Sequence, residues 1–296
     1  MKVNVICGGQ SKEREISLRS GNAVASALSA SGHTVKILDS SATIEELADC
    51  DVVFPVLHGV GGEDGTLQRR LEDHGIKFVG SGSEASSLCM DKVAYRHKMI
   101  GLGFDLAEGY AYNFEQYNGS NLSKQPHVVK PIDGGSSIDT IIIRQTKQQI
   151  SSEVKELFKI YDKLLVESLI VGDEITVGVL GESALPVIEI IPPQNGEFDY
   201  ENKYNGKTQE LCPPENVSQQ DQLASQSLAE RVHEATDCSD FSRTDFILQS
   251  DGKLILLETN TIPGMTEQSL FPKMAAKTGL TMPELTDKLV RMSVER

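Results

Sequence analysis

Two carboxylates near the end of the chain, Asp245 and Glu258, are spaced so that a β-hairpin would bring them together. The apolar run Leu254-Ile-Leu-Leu257 reads as a buried strand, Phe246-Ile-Leu248 as its antiparallel partner, and Ser250-Asp251-Gly252 as the turn between them. Such a hairpin sets both carboxylates at adjoining strand ends with the Asn260 amide beside them. These are hard oxygen donors, the set that suits Mg²⁺ when phosphate oxygens and water complete its coordination. Arg243, two residues before Asp245, adds a planar cation able to clamp an anion. The alternative is an ordinary hairpin whose charges merely mark the strand ends.

Further candidates sit upstream. Lys130-Pro131 precedes Gly134-Gly135-Ser136-Ser137-Ile138, a small, donor-rich loop directly after a cation and able to fold over phosphates. It is not a Walker A loop, because Lys130 comes before the glycines. Glu13 follows Gly8-Gly9, and His58 opens Gly59-Val-Gly61-Gly62-Glu63-Asp64-Gly65; both fall at the carboxyl ends of predicted strands, where ligands of open α/β sheets gather. The first turn lacks GxGxxG spacing, which counts against an oxidoreductase using a dinucleotide. Residues 192–214 read as a long functional loop whose working part is Phe198-Asp-Tyr200-Glu-Asn-Lys203-Tyr204.

The elements that must carry these residues follow from periodicity. Strands at 2–7, 34–38 and 52–57 alternate with a helix ending at Gly32 and a short helix at 43–48, a half-Rossmann βαβαβ unit. A glycine-rich turn at Gly80-Ser-Gly82 leads into a helix through Leu88, Met90 and Lys92. Residues 113–125 are polar and aperiodic and read as a connection. Strands follow at 126–130, 140–144 and 163–167 with a helix at 147–158, then β-rich runs at 174–180 and 185–191, a helix at 219–235 and a final helix at 282–292. The class is α/β with mixed α+β character.

Composition bounds the function. A chain of 296 residues fits two or three domains. A net charge of −15 argues against general nucleic-acid or anionic-membrane binding, since both need a basic face. The five cysteines are odd in number and form no CxxC pair, so neither a disulfide framework nor a zinc site is expected. No cationic leader or long apolar window is present, and the expected location is a reducing cytoplasm.

The ordered set His58-Gly-x-x-Gly-Glu-Asp-Gly65, Met90-Asp-Lys92, Lys130-Pro131 with Gly135-Ser136-Ser137, Lys203-Tyr204, Arg243-x-Asp245, Glu258-x-Asn260 and Pro263-Gly264-Met-Thr266 resembles the D-alanine–D-alanine ligases of the ATP-grasp superfamily along nearly the whole chain. The resemblance implies a three-domain ATP-grasp fold: an N-terminal half-Rossmann unit (residues 1–85), a central lid (86–170) and a C-terminal metal and catalytic domain (171–296). It implies ATP held by Lys92, Lys130, Ser137, Lys203, Glu174 at the ribose, and Glu167 with Ser168, Leu169 and Ile170 at the adenine. Two Mg²⁺ ions, replaceable by Mn²⁺, are expected on Asp245, Glu258 and Asn260. Glu13 would receive the ammonium of a first D-alanine near His58, and Gly264, Ser269 and Leu270 would line the subsite for a second. Ser136 and Tyr204 would link the closing loops, while Arg243 with an N–H near Gly264 would stabilise an oxyanion. The implied activity is D-alanyl-D-alanine synthesis through a D-alanyl phosphate, for peptidoglycan precursors, by a homodimer. Alternatives of the same chemistry use D-lactate or D-serine as acceptor, and Lys203-Tyr204 follows the dipeptide-forming pattern; a nucleotide sensor without turnover is the remaining alternative, against which the intact acidic and arginine set counts. Two positions depart from the family pattern: Gln68-Arg69-Arg70, and Asp139 where Gly is commoner.

Overall fold

The computed structural model describes residues 1–145, 151–193 and 208–296. Three sheets organise the chain. In the first, β1 (Lys2–Cys7) lies between β2 (Thr34–Asp39) and β3 (Val52–Pro55), all parallel. Helix α1 (Arg14–Ala30) crosses from β1 to β2 and buries Ile16, Val24 and Leu28. After α2 (Ile44–Ala48) and β3 come α3 (Thr66–Glu72), α4 (Ser83–Met90) and α5 (Lys92–Gly101). The expected single helix through Leu88 and Lys92 is broken at Asp91, which is extended (ψ 97) and caps α5 by accepting from the Val93 and Ala94 N–H groups. That cap starts α5 at Lys92.

The second sheet is antiparallel, in the order β4 (Gly109–Tyr112), β7 (Leu164–Ser168), β5 (His127–Pro131), β6 (Ile141–Ile143). Between β4 and β5 the expected connection is instead helix α6 (Phe114–Gly119) and a 3₁₀ turn. Asn113 and Gln116 form a capping box there, and Tyr117 is buried, which stabilises a helix too short for periodicity to reveal. Helix α7 (Ser152–Ile160) covers this sheet with Val154 and Leu157; the first part of the predicted 147–158 helix lies outside the described residues.

The third sheet runs β11 (Gln209–Leu211), β10 (Ile188–Ile191), β8 (Asp173–Leu180), β12 (Phe241–Leu248), β13 (Leu254–Asn260), with β9 (Ser183–Ala184) on β8. β10 is shorter than the 185–191 run, which contains Pro186, and β11 gives strand structure to part of the expected 192–214 loop by pairing with β10. Helix α8 (Gln219–Ala235) packs on one face of the sheet. On the other, α9 (Leu270–Lys277) and α10 (Met282–Glu295) form with α1, β1 and β3 one continuous core that includes Phe241, Phe271, Leu285 and Leu289. The His33 ring meets Asp287 at 2.8 Å and Ser31 Oγ donates to the Pro283 carbonyl at 2.9 Å, tying the end of α1 to α10. Among the described residues no helix is long and apolar enough to cross a membrane.

Asp91→Ala removes the single carboxylate oxygen that accepts both cap bonds of α5 and is expected to cost about 1 kcal/mol, read as a lower urea midpoint with unchanged slope. An unaltered midpoint would show that the cap does not hold α5 in place.

Candidate functional site

The central hairpin forms as its pattern predicts. β12 pairs with β13 so that Arg243 faces Asn260 and Asp245 faces Glu258, with a register shift immediately after Asp245. Residues two apart share a face of a strand, so these four side chains lie on one side while Phe246, beyond the bulge, is fully buried. The Asp245 carboxylate takes a fork from Arg243, Nε to Oδ1 at 3.0 Å and Nη2 to Oδ2 at 2.9 Å, and a bond from Thr176 Oγ1 on β8 at 2.5 Å. Lys92 Nζ stands 3.9 Å from Glu258 and donates to the Gly134 carbonyl, so α5 delivers its first cation to the hairpin. Burial draws the Lys92 ammonium below its ordinary pKa. Asn260 Oδ1 accepts from the Ile262 N–H at 2.8 Å. Among the described residues no three His, Cys, Asp or Glu side chains gather as a self-sufficient metal site. Two carboxylates and an amide fit Mg²⁺ when phosphate oxygens and water fill its other positions.

A cleft of about 770 Å³ opens between the second and third sheets. Its walls carry Lys92, Lys130, Ser137, Glu167, Ser168, Leu169, Ile170 and Glu174, so the described members of the expected nucleotide set line one cleft, together with Asp245 and Glu258. Lys130 and Arg96 each meet the Glu167 carboxylate at 2.5 Å. Arg96, nearly fully buried, also donates to the Ala107 carbonyl. Its signal was present in the sequence: it lies one turn after Lys92 on the same helical face, an i,i+4 pair of cations that needs an external anion.

A second chamber of about 530 Å³ is lined by Glu13, His58, Glu63, Arg243, Gly264, Ser269 and Leu270, and it shares Lys92, Gly134, Gly135 and Glu258 with the cleft. Ser136 Oγ donates to Glu13 Oε1, joining the glycine-serine loop to the first turn of the chain. Ser136, Ser137 and Asp139 all hold left-handed backbone, φ 51, 56 and 58. Asp139 tolerates a conformation that otherwise favours glycine, and it accepts from Tyr161 OH at 2.7 Å, which pushes the phenol up to about 12. Gln68 is buried and its Nε2 donates to the Gly62 carbonyl at 2.7 Å, bracing the His58–Gly65 turn, while Arg70 donates to the Ala42 carbonyl outside the chamber.

Within that turn Gly59, at φ +72, donates its N–H to Glu63 Oε2 at 2.6 Å; a Cβ there would lie 3.0 Å from Glu13 Oε2. Burial, followed by the neighbouring Glu13 carboxylate, raises the Glu63 carboxyl to about 8, whereas burial and Arg243 lower His58 to about 4. His58 Nε2 is buried without a partner among the described residues. Gly264 leaves room for Ser269, whose Oγ would stand 2.9 Å from a Cβ and which accepts from the Thr266 N–H at 3.1 Å. Glu63 as a perturbed group, and the chamber residues Arg19, Glu210 and Lys273, were not singled out by the sequence. Lys203 and Tyr204 lie outside the described residues.

Comparison with known proteins agrees along the chain. The model of the D-ala D-ala ligase N-terminus matches residues 29–81 and that of the D-ala D-ala ligase C-terminus matches 113–291. A D-alanine--D-alanine ligase of Halalkalibacterium halodurans is 37% identical over 309 residues, covering 100% of both chains. One of Syntrophotalea carbinolica is 40% identical over 296 residues, covering 98% of this chain and 95% of the relative. The crystal structure of the Bacillus anthracis ligase complexed with ATP superposes with a TM-score of 0.86 at 29% identity, covering 100% of this chain and 98% of that one. The VanG D-Ala:D-Ser ligase of Enterococcus faecalis gives 0.84 at 28% identity, covering 99% of each.

The raised Glu63 pKa makes a prediction about stability. The folded chain keeps a proton there that the unfolded chain gives up in the ordinary carboxylate range, so stability present below that range is lost as pH rises toward 8. Glu63→Gln keeps an acceptor for Gly59 but cannot ionise. In metal-free buffer its urea midpoint should therefore gain on that of the parent between about pH 5 and about pH 8. A difference that stays constant with pH would refute the assignment.

Proposed function

The chain belongs to the D-alanine–D-alanine ligase family, and from that premise we propose that it joins two molecules of D-alanine at the expense of ATP, releasing ADP and phosphate. Its fold is the mixed α/β ATP-grasp fold. One observation carries the reading: a cleft walled by two sheets and a chamber holding Glu13 and Arg243 meet at Lys92, Gly134, Gly135 and Glu258. A phosphoryl donor in the first would point at a carboxylate in the second. We propose three domains, residues 1–85, 86–170 and 171–296, a reading supported by the presence of one sheet within each range.

A carboxylate is a poor acyl donor because its leaving group would be oxide. Attack of one carboxylate oxygen of the first D-alanine on the γ-phosphorus expels ADP and gives an acyl phosphate; attack of the second amine on the acyl carbon then expels phosphate and frees a proton. Lys92 and Lys130 counter the α- and β-phosphates, Lys203 the γ-phosphate, and Ser137 adds a donor. Glu167 receives the adenine amine with Ser168, Leu169 and Ile170 along the ring, and Glu174 holds the ribose. Asp245, Glu258 and Asn260 would hold Mg²⁺, which would supply charge neutralisation at the phosphates. Glu13 fixes the first ammonium beside His58. Arg243 offers its guanidinium to the oxyanion that develops on the acyl oxygen as the amine adds to the carbon, together with an N–H near Gly264. Because an acyl phosphate hydrolyses, water must be excluded; the 134–138 loop, bonded through Ser136 to Glu13, and the 192–214 segment with Tyr204 are the lids. A homodimer in the cytoplasm, serving peptidoglycan precursor synthesis, completes the proposal.

Phosphate release from MgATP should require D-alanine, with L-alanine and no amino acid near background, and the product should have the mass of D-alanyl-D-alanine. Equal release in all three arms would remove the ligase reading. Arg243→Lys should lower kcat about 10²–10³-fold with a smaller change in the KM for ATP, because the planar donor acts on charge that appears only in the transition state. A matching loss of ATP affinity would make Arg243 a nucleotide-binding residue instead.

A further inference from the structure

We infer that Arg19 receives the carboxylate of the acceptor amino acid, so that α1 measures the dipeptide between its two charged ends. The inference rests on the ligation reading above. Glu13, Ile16 and Arg19 all line the chamber and recur every third residue, which sets them on one face of the start of α1. From Glu13 to Arg19 the helix advances about 9 Å. An extended dipeptide spans about 7 Å along its backbone, with its ammonium at one end and its carboxylate at the other. With Glu13 on the ammonium of the first residue, the guanidinium lies where the carboxylate of the second arrives.

The other charges of the chamber support the same assignment. Lys273 meets Glu210 at 2.6 Å, Arg243 forks onto Asp245, and Lys92 stands 3.9 Å from Glu258. Arg19, by contrast, makes no hydrogen bond or ion pair among the described residues. It is exposed, and its helix is anchored by neighbouring serines: Ser17 Oγ donates to the Val56 carbonyl at 2.6 Å, and Ser20 Oγ accepts from the Met265 N–H at 3.4 Å. The latter bond puts α1 directly against the strand of chain between Gly264 and Ser269. At the far wall α9 begins without a side-chain cap, so its first N–H groups stand ready beside the same carboxylate. Arg19 thereby selects acceptors that carry a free α-carboxylate.

The test uses the full chain with MgATP, D-alanine as donor, and D-alanine competing with D-alaninamide as acceptor. The amide has no carboxylate and so cannot serve as donor, and the two products differ in mass. The parent should form mainly the free dipeptide. Arg19→Met should raise the KM for the acceptor about ten- to hundred-fold and move the product ratio toward the amide by a similar factor, with kcat at saturation and the KM for ATP unchanged. Arg19→Lys should keep most of the preference. An unchanged product ratio in Arg19→Met overturns the inference while leaving the ligation intact. Absence of both products with the parent overturns the ligation reading itself.

Discussion

The pairing of β12 with β13 is the constraint on which the rest of the molecule depends. Side chains alternate along a strand, so a slip of one residue would turn Arg243 and Asp245 into the core and expose Phe246 and its neighbours. The alternation of buried and facing residues prevents that slip, and β8 locks it from the other side by pairing along the full length of β12 and bonding Asp245 through Thr176. The register shift leaves Leu257 of β13 as the extra residue, while β12 keeps an unbroken register with β8, so Asp245 and the fully buried Phe246 point to opposite faces by ordinary alternation. A carboxylate pair, an amide and an arginine held this way are positioned by sheet hydrogen bonds and not by flexible loops.

Everything else brings partners to that face. The cap at Asp91 begins α5 where Lys92 can reach Glu258, and one turn later Arg96 neutralises Glu167 with Lys130, so a single helix serves both the hairpin and the cleft. The core shared by α1, α9, α10 and the third sheet makes the N-terminal turns part of the same body as the hairpin. Glu13 and His58 are thereby placed without long-range adjustment. The glycine-serine loop has a different character: its serines and Asp139 sit in left-handed backbone, and it is tied to the rest of the chain by side chains, with Ser136 on Glu13, Lys92 on the Gly134 carbonyl, and Asp139 on Tyr161 and Lys12.

Much of this could be read from the sequence because it depends on local pattern. The hairpin needs only apolar runs and a turn, the first sheet only strands separated by amphipathic helices, and Glu13 and His58 only proximity to strand ends, whereas the cleft residues Glu167 to Ile170 and Glu174 were legible only through the family resemblance. What escaped notice depends on tertiary partners. Helix α6 is a capped helix of only six residues that buries Tyr117, so its polar sequence has no period to detect. Strand β11 exists because β10 offers an edge. The perturbation of Glu63 comes first from burial and then from Glu13, fifty residues away in sequence, and no spacing rule encodes either. Asp139 looked like a departure from glycine, yet its positive φ and its bond to Tyr161 show how the position retains the backbone that glycine would give.

The central claim is that the hairpin face binds ATP together with a divalent cation. Equilibrium binding of ATP, measured by calorimetry with and without Mg²⁺ for the parent chain and for Glu258→Gln, addresses it most directly. The account predicts that Mg²⁺ strengthens ATP binding to the parent and that Glu258→Gln loses most of that gain without losing metal-free affinity, since the substitution removes a negative charge beside Lys92 and the phosphates and leaves every cation in place. A variant that retains the full metal-dependent gain would contradict it.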